Sequence, residues 1–386
     1  PAPPAWAPPQ KFARSGGPGG GGAQPPAPTT YAEAVLRLTP SAKYEAAVAE
    51  ALVEISARLK KVFGEEASAM PFGSIVQSAH LEGSDLDLCF DVPGEEESSA
   101  VKEDGKADNT KQVQALRRLL GSLQGRFRVI ETRLWKNMKV PIVIVGYRGA
   151  SGVEVEADLS VGTVFEEVEK GFADRCIRRL FALCPKALHL ARVVKLWAKV
   201  EKLNKAYEGF LNSLGWTLLV LYFFLEKAEL SAGDIHIEEP DERGPGGDVS
   251  ILPPLLHADE AHGGFLSVED QTAQLPDPEE LAAFFDWIAS WETWWPPRDQ
   301  ASDENGKMVW GMSLVDGSII EVPPPAKTWP DSSALFIEDP GVRIAKGTSE
   351  NVARSLKVRT WAQTVQCSAG AAAKLRGGGD AASEEA

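Results

Sequence analysis

Phe72-Gly73-Ser74, followed after ten residues by Asp85-Leu86-Asp87-Leu88, is the stretch of this sequence that decides the fold. Gly73 permits close approach of the backbone, and Ser74 is expected to start a short helix whose free N–H groups and hydroxyl can hold phosphates. Alternate side chains of a strand share a face, so Asp85 and Asp87 should project together while the leucines enter the core. Two adjacent carboxylates repel unless cations lie between them. The segment therefore predicts a metal-binding strand beside a nucleotide-binding turn.

A third carboxylate is expected from a later strand. The segment from Val153 to Val161 alternates, and one of its faces carries three acidic residues: Glu154, Glu156 and Asp158. We choose Asp158, because the apolar residues after it indicate a strand that continues into the core, and we interpret the two glutamates as a solvated face. Asp85, Asp87 and Asp158 are then the predicted metal ligands and catalytic residues. Three carboxylates could hold two Mg²⁺ or Mn²⁺ ions about 3.5–4 Å apart, which suits in-line phosphoryl transfer.

The rest of the chain predicts a small α/β domain followed by a helical one. Apolar residues recur at helical spacing over 41–63, and strand-like runs surround a helix at about 111–123. Beyond Phe165 the apolar stripes are helical, and Val315-Asp316-Gly317-Ser318 is typical of a hairpin turn. We predict a disordered Pro/Gly-rich segment (1–30), a catalytic α/β domain (31–165), a helical domain (166–362) with an acidic Gly/Pro loop (231–277), and a disordered tail (363–386).

Composition and charge limit the possible partners. The net charge of −15 argues against a general nucleic-acid coat, since nonspecific phosphate affinity needs clustered Lys and Arg. Basic residues outnumber acidic ones between Lys170 and Lys205, which predicts one local positive surface. The sequence contains no signal-peptide pattern and no apolar run of about 20 residues. We therefore expect no membrane partner and a location in the cytoplasm or nucleus. We also expect a monomer.

These motifs resemble the noncanonical poly(A) polymerases and terminal uridylyltransferases, a family of the DNA polymerase β nucleotidyltransferase superfamily. Further segments agree with the resemblance, which covers roughly residues 44–361: Pro141-Ile142-Val143, Val193 to Lys199, Leu211 to Trp216, and Leu335 to Pro340 with Asn351 to Arg354. In that family two lysines and a serine of the central helical segment bind the triphosphate. The resemblance therefore implies that Lys195, Lys199 and Ser213 join Gly73 and Ser74 in binding the nucleotide, and that Glu338 and Asp339 position structure.

The resemblance also implies a fold and an activity. The expected fold is an α/β nucleotidyltransferase palm, a mixed sheet with helices, plus a mainly helical poly(A) polymerase-associated domain. The expected reaction is template-independent addition of AMP or UMP, from ATP or UTP, to an RNA 3′ end. Family members often carry an aromatic residue where this chain has Leu214, and an Asn that is missing between Ser160 and Lys170. The loop from Trp329 to Ser333 lacks the histidine that uridylyltransferases use to favour UTP, which favours either a preference for ATP or loose selectivity among nucleotides.

Two alternative functions use the same residues. The acceptor could be a small molecule, a protein or a nucleotide, which the acidic composition and the lack of an RNA-binding module favour. The closing segment from Leu335 to Arg354 favours RNA instead, because it belongs to the RNA-tailing branch. A non-enzymatic scaffold on the same fold is the third reading. The presence of all three aspartates argues against it.

Overall fold

In the computed structural model, the described parts of the chain are residues 30–93, 109–123, 125–135, 140–165, 168–235, 275–294, 309–322 and 335–377. Residues 1–29, which belong to the segment expected to be disordered, and most of the acidic loop lie outside these ranges. The helices are α1 (Tyr31–Leu36), α2 (Ala42–Phe63), α3 (Thr110–Leu120), α4 (Phe172–Leu183), α5 (Pro185–Val200), α6 (Ser213–Glu226), α7 (Pro278–Trp294), α8 (Pro340–Lys346) and α9 (Val358–Gly377). Short 3₁₀ turns cover Ala206–Glu208 and Ala232–Ile235.

The strands form one large sheet and two hairpins. They are β1 (Ala69–Phe72), β2 (Leu86–Phe90), β3 (Phe127–Arg133), β4 (Ile142–Arg148), β5 (Glu154–Val161), β6 (Val164–Phe165), β7 (Val168–Glu169), β8 (Val309–Ser313) and β9 (Ser318–Val322). The five-stranded sheet has the order β1-β2-β5-β4-β3. Only β2 and β5 are parallel neighbours in it, and the other pairs are antiparallel. The sheet is therefore mixed, as the sequence predicts.

Helices α2 and α3 cover one face of this sheet. Ser41 caps α2 by accepting a hydrogen bond from the Tyr44 N–H at 3.2 Å, and Gly64, with φ of 108°, ends the helix. The apolar stripe of α2 packs on alternate residues of β2 and β5, such as Leu86 and Leu159, which are fully buried. Burial of one face leaves the intervening polar residues on the other face. The charged side chains of β2 and β5 thus lie together on the face opposite α2.

A second core belongs to the helical domain. Helix α6 is apolar around its whole circumference, and it is accordingly buried between α5 and α7. Phe284, Phe285 and Ile288 of α7 are also buried, so this apolar stripe is part of the core. Val35 of α1, expected in the catalytic domain, packs into this second core. The domain boundaries otherwise stay a prediction.

The C-terminal prediction is wrong for residues 363–377. The expected disordered tail continues instead as helix α9, which packs along α7. Trp361, Val365 and Ala372 lie on its buried side, and Thr364 donates to the Thr360 carbonyl at 2.9 Å. The Ala and Gly content suggested too little apolar surface to order the chain, but small side chains suffice where two helices lie close together. No helix in the described ranges has the length and apolar character that a membrane-crossing segment needs.

Candidate active site

The pairing of two parallel strands brings the predicted carboxylates together. Asp87 of β2 and Asp158 of β5 are direct register partners, and Asp85 lies one residue before β2. Neighbouring Leu86 and Leu88 are fully buried, which fixes the aspartates on the opposite face. One edge of the domain thus carries three carboxylates from two adjacent strands.

Burial and mutual repulsion disfavour the charged forms of these carboxylates. Burial, followed by the charges of Asp158, Asp85 and Asp174, raises the pKa of Asp87 to about 7. Burial, followed by Asp85 and Glu156, raises the pKa of Asp158 to about 6. Burial also raises the pKa of Asp85, although less so because of Lys199. A nearby cation would stabilise the charged forms of these three carboxylates and would lower all three pKa values.

The donor set suits a hard divalent cation. Carboxylate oxygens are the ligands that Mg²⁺ and Mn²⁺ prefer, and Oδ1 of Asp158 is buried without a hydrogen-bond partner. In the conformation observed, however, the side chains of the described residues do not form a group of three or more metal-ligating residues. The backbone sets the register that pairs Asp87 with Asp158, whereas a small side-chain rotation is enough to redirect a carboxylate. The residues therefore fit the cation, with some side-chain adjustment.

Gly73 lies directly against the carboxylate of Asp87. Its φ is 75°, and a Cβ placed there would be 2.5 Å from Oδ2 of Asp87. Residues 73–79, here called the β1–β2 turn, form no helix, so the short helix expected to start at Ser74 is wrong. The turn is instead held internally by bonds from the Gln77 N–H to the Gly73 carbonyl (3.1 Å) and from the Ala79 N–H to the Ser74 carbonyl (3.0 Å).

The expected nucleotide-binding residues of the helical domain lie at different depths. Lys195 is half-buried, and its ammonium donates to the Ala79 carbonyl at 2.9 Å. Burial, followed by the charge of Arg192, lowers the pKa of Lys195 to about 8. Lys199, one helical turn later, is exposed and close enough to affect Asp85. Ser213 is exposed at the first residue of α6. The structure thus places Lys199 beside the carboxylates and Lys195 beneath the β1–β2 turn.

Two buried residues at this site were missed by the sequence reasoning. Asp174 of α4 accepts hydrogen bonds from the Gly73 N–H (2.7 Å) and from Nε2 of Gln77 (2.6 Å). The N–H of Gly73, a residue expected to bind the nucleotide, is therefore already bonded within the protein. Arg192 of α5 is also buried, so the predicted positive surface between 170 and 205 is wrong at this residue. A signal for Asp174 did exist, since it precedes Ile177 and Phe181 at the three- and seven-residue spacing of the buried stripe.

The closing segment has a structural role, as expected for Glu338 and Asp339. Glu338 is buried and accepts from the hydroxyls of Ser313 and Ser349. Asp339 caps α8 through the N–H groups of Gly341 and Val342, at 2.9 and 3.2 Å. Leu214, where family members often carry an aromatic residue, packs against the helical core. The segment from Trp329 to Ser333 lies outside the described residues.

Comparison with known proteins shows which family this arrangement resembles. Residues 30–165 match the family model for the central palm domain of mitochondrial-like poly(A) RNA polymerase. Over 177 residues the chain is 25% identical to mouse terminal uridylyltransferase 4. In this matched region and in its fold, the chain is similar to the noncanonical poly(A) polymerases and terminal uridylyltransferases.

The curated members of this family are much longer than the matched region. The match to mouse terminal uridylyltransferase 4 covers 46% of this chain and 10% of that protein. Human terminal uridylyltransferase 7 is 26% identical over 156 residues, which is 40% of this chain and 9% of the relative. The chain thus aligns with about a tenth of the length of these relatives.

Solved structures confirm the predicted fold class. The Cid1 poly(U) polymerase bound to MgGTP superposes with a TM-score of 0.58 at 19% identity, over 89% of this chain and 92% of that one. The mtPAP structure in complex with UTP also gives a TM-score of 0.58, at 17% identity, over 91% of this chain and 69% of that one. The alignment extends well beyond residues 30–165, so the helical part of the chain follows the same fold.

Proposed function

We propose that this chain adds nucleotides, without a template, to the 3′ end of RNA, using ATP or UTP and releasing pyrophosphate. The observation that carries the proposal is the direct pairing of Asp87 with Asp158 beneath Gly73, with Asp85 beside them. The chemistry of the site supports it together with the similarity to the noncanonical poly(A) polymerases and terminal uridylyltransferases. The structure of mtPAP in complex with UTP and that of Cid1 in complex with its short product ApU show ligands of those two proteins, and these ligands suggest a nucleotide and an RNA substrate here.

Each predicted residue has a defined task in this reaction. The 3′ oxygen of RNA forms a bond to the α-phosphorus while the bond from that phosphorus to pyrophosphate breaks. Asp85, Asp87 and Asp158 would hold Mg²⁺ or Mn²⁺, which when bound activates the hydroxyl and neutralises the departing phosphates. Ser74, Lys199 and Ser213 would bind the triphosphate. Lys195 contributes from beneath, by fixing the Ala79 carbonyl and adding positive charge.

Replacing Asp158 by Ala tests this function. We expect primer extension with Mg²⁺ or Mn²⁺ to fall by at least about a thousandfold, since several kcal/mol of charge stabilisation is lost at about 1.4 kcal/mol per factor of ten. The variant should remain folded, because Asp158 has a raised pKa and lacks a partner at Oδ1. Glu154→Ala, four residues earlier on the same face, is the matched control and should retain extension. Full extension by Asp158→Ala would refute the assignment.

A second candidate, transfer to an acceptor other than RNA, is favoured by the net charge of −15. Labelled ATP and UTP, each incubated with and without an RNA primer, separate the two functions. Product formed only in the absence of RNA would remove the RNA proposal. No product under any of these conditions would favour an inactive scaffold. Comparing all four nucleoside triphosphates on one oligonucleotide then tests the expectation that ATP is preferred.

A further inference from the structure

Side chains of the helical domain hold the β1–β2 turn at both of its ends. At its start, both carboxylate oxygens of Asp174 accept hydrogen bonds from the turn, Oδ2 from the Gly73 N–H at 2.7 Å and Oδ1 from Gln77 Nε2 at 2.6 Å. At its end, Arg192 donates to the Ser78 carbonyl at 2.8 Å, and Lys195 donates to the Ala79 carbonyl at 2.9 Å. Three side chains of α4 and α5 thus hold a segment that lies about a hundred residues earlier in the chain.

The turn needs this support because its backbone is strained. Ser78 has a φ of 63°, in the left-handed region that costs a residue with a side chain roughly 1–2 kcal/mol. Gly73 also has a positive φ and lies against Asp87. Such conformations persist only when surrounding contacts fix them. The bonds from Asp174 and Arg192 are directed at the two residues of the turn that have a positive φ, and of these Ser78 is the strained one.

Both supporting side chains are themselves rigidly placed. Asp174 and Arg192 are 8% and 6% exposed, so water cannot readily take over the hydrogen bonds that these side chains make to the turn. Arg192 is fixed further by its second bond, to the Thr39 hydroxyl at 3.0 Å. The first turn of α4 is fixed by α8, since a Cβ at Gly341 would be 2.8 Å from the Cβ of Ala173. The position of Asp174 therefore depends on the closing segment as well as on α4.

We propose that Asp174 and Arg192 are positioning residues that set the geometry of the β1–β2 turn and thereby the affinity for the nucleoside triphosphate. This inference rests on the proposed function, in which Ser74 of the turn binds phosphate. Neither residue touches the nucleotide. Asp174 acts through Gly73 and Gln77, and Arg192 acts through Ser78. The helical domain thus controls nucleotide binding from beneath the site, in addition to contributing Lys199 and Ser213.

The test compares nucleotide binding with RNA binding in variants of the whole 386-residue chain. Asp174→Ala removes both acceptors, and we expect the Kd for ATP with Mg²⁺, measured by calorimetry without RNA, to rise about ten- to a hundredfold. The KM for ATP in primer extension should rise similarly, while the KM for the RNA primer stays within about twofold. Asp174→Asn keeps one acceptor oxygen and should restore part of the affinity. Gln77→Ala, which loses one of the two bonds, should show a smaller defect if Asp174→Ala fails to fold.

A buried carboxylate elsewhere in the helical domain supplies the control. Glu280 of α7 is 9% exposed and pairs with Lys227, so Glu280→Gln should lower stability but leave the ATP affinity unchanged. The inference is overturned if Asp174→Ala lowers the Tm as Glu280→Gln does while binding ATP like the wild type. If the wild type itself neither binds ATP nor extends RNA, the proposed function fails instead. The two failures are therefore distinguishable.

Discussion

Replacing Asp87 by Asn should stabilise the metal-free protein while abolishing its proposed activity. Asp87 has its pKa raised from 3.8 to about 7, first by burial and then by the neighbouring aspartates. A shift of about three units at about 1.4 kcal/mol per unit corresponds to roughly 4 kcal/mol of destabilisation once the carboxyl is ionised. The amide still needs hydrogen bonds, and part of the repulsion belongs to Asp158 and Asp85. We therefore expect a net gain of about 1–3 kcal/mol at pH 8.

The stability gained by Asp87→Asn should depend on pH, and the raised pKa of Asp87 sets the direction of that dependence. Because the pKa of Asp87 is higher in the folded state, its stabilising contribution is fully present below about pH 4 and is lost as the pH rises through about 7. The advantage of Asp87→Asn should therefore be largest at pH 8 and fall below half by pH 5. Mg²⁺ or Mn²⁺ should raise the Tm of the wild type at pH 8 and have a smaller effect on the variant.

Thermal and denaturant unfolding in a chelating buffer between pH 4 and pH 8 provide the measurement. Glu66→Gln, at an exposed position outside the site, serves as the charge-matched control and should show no such trend. If Asp87→Asn were no more stable than the wild type at pH 8, the carboxylates would not repel as the structure implies. A stability gain that stayed constant with pH would contradict the reasoning as well.

Two further predictions concern the backbone and the C terminus. Gly73→Ala should reduce primer extension and weaken metal binding, because its Cβ would displace Asp87. Gly83→Ala is the control, since Gly83 has the same φ of 75° and nothing within 4 Å, and it should lose stability alone. Equal activities of the two variants in a primer-extension assay would refute the proposed contact. Deleting residues 363–386 should lower the Tm by several degrees through loss of most of α9, whereas deleting 378–386 should not. Equal Tm values for the two deletions would show that the packing of α9 on α7 contributes little.

Local sequence pattern was sufficient for the parts of the site that lie on single strands. The alternation around Asp87 and Asp158 predicts which side chains share a face, because a strand has a period of two. The same pattern predicts β2, β3, β4 and β5 within a few residues. It did not predict β1, whose four residues include Pro71 and are too few to show a period. Short strands of this kind are ordered by their neighbours.

The missed features depend on contacts between distant segments. Asp174 and Gly73 are separated by 101 residues, and no local pattern relates a helix side chain to a turn in another domain. Lys195 was expected at the triphosphate from resemblance, but its bond to the Ala79 carbonyl became visible only with both domains in place. Helix α9 was missed for a related reason, because its order comes from packing on α7 rather than from its own composition.

The hydrogen bonds from α4 and α5 to the β1–β2 turn also determine when the site can mature during synthesis. All five strands of the palm sheet have left the ribosome once Val161 has emerged, but Arg192 follows Ser78 by 114 residues. The three aspartates can therefore assemble before the turn above them acquires its final shape. A fragment that ends at residue 165 would retain the carboxylates and lose every bond that the helical domain makes to this turn. Domain dissection would thus separate cation binding from tight binding of the nucleoside triphosphate.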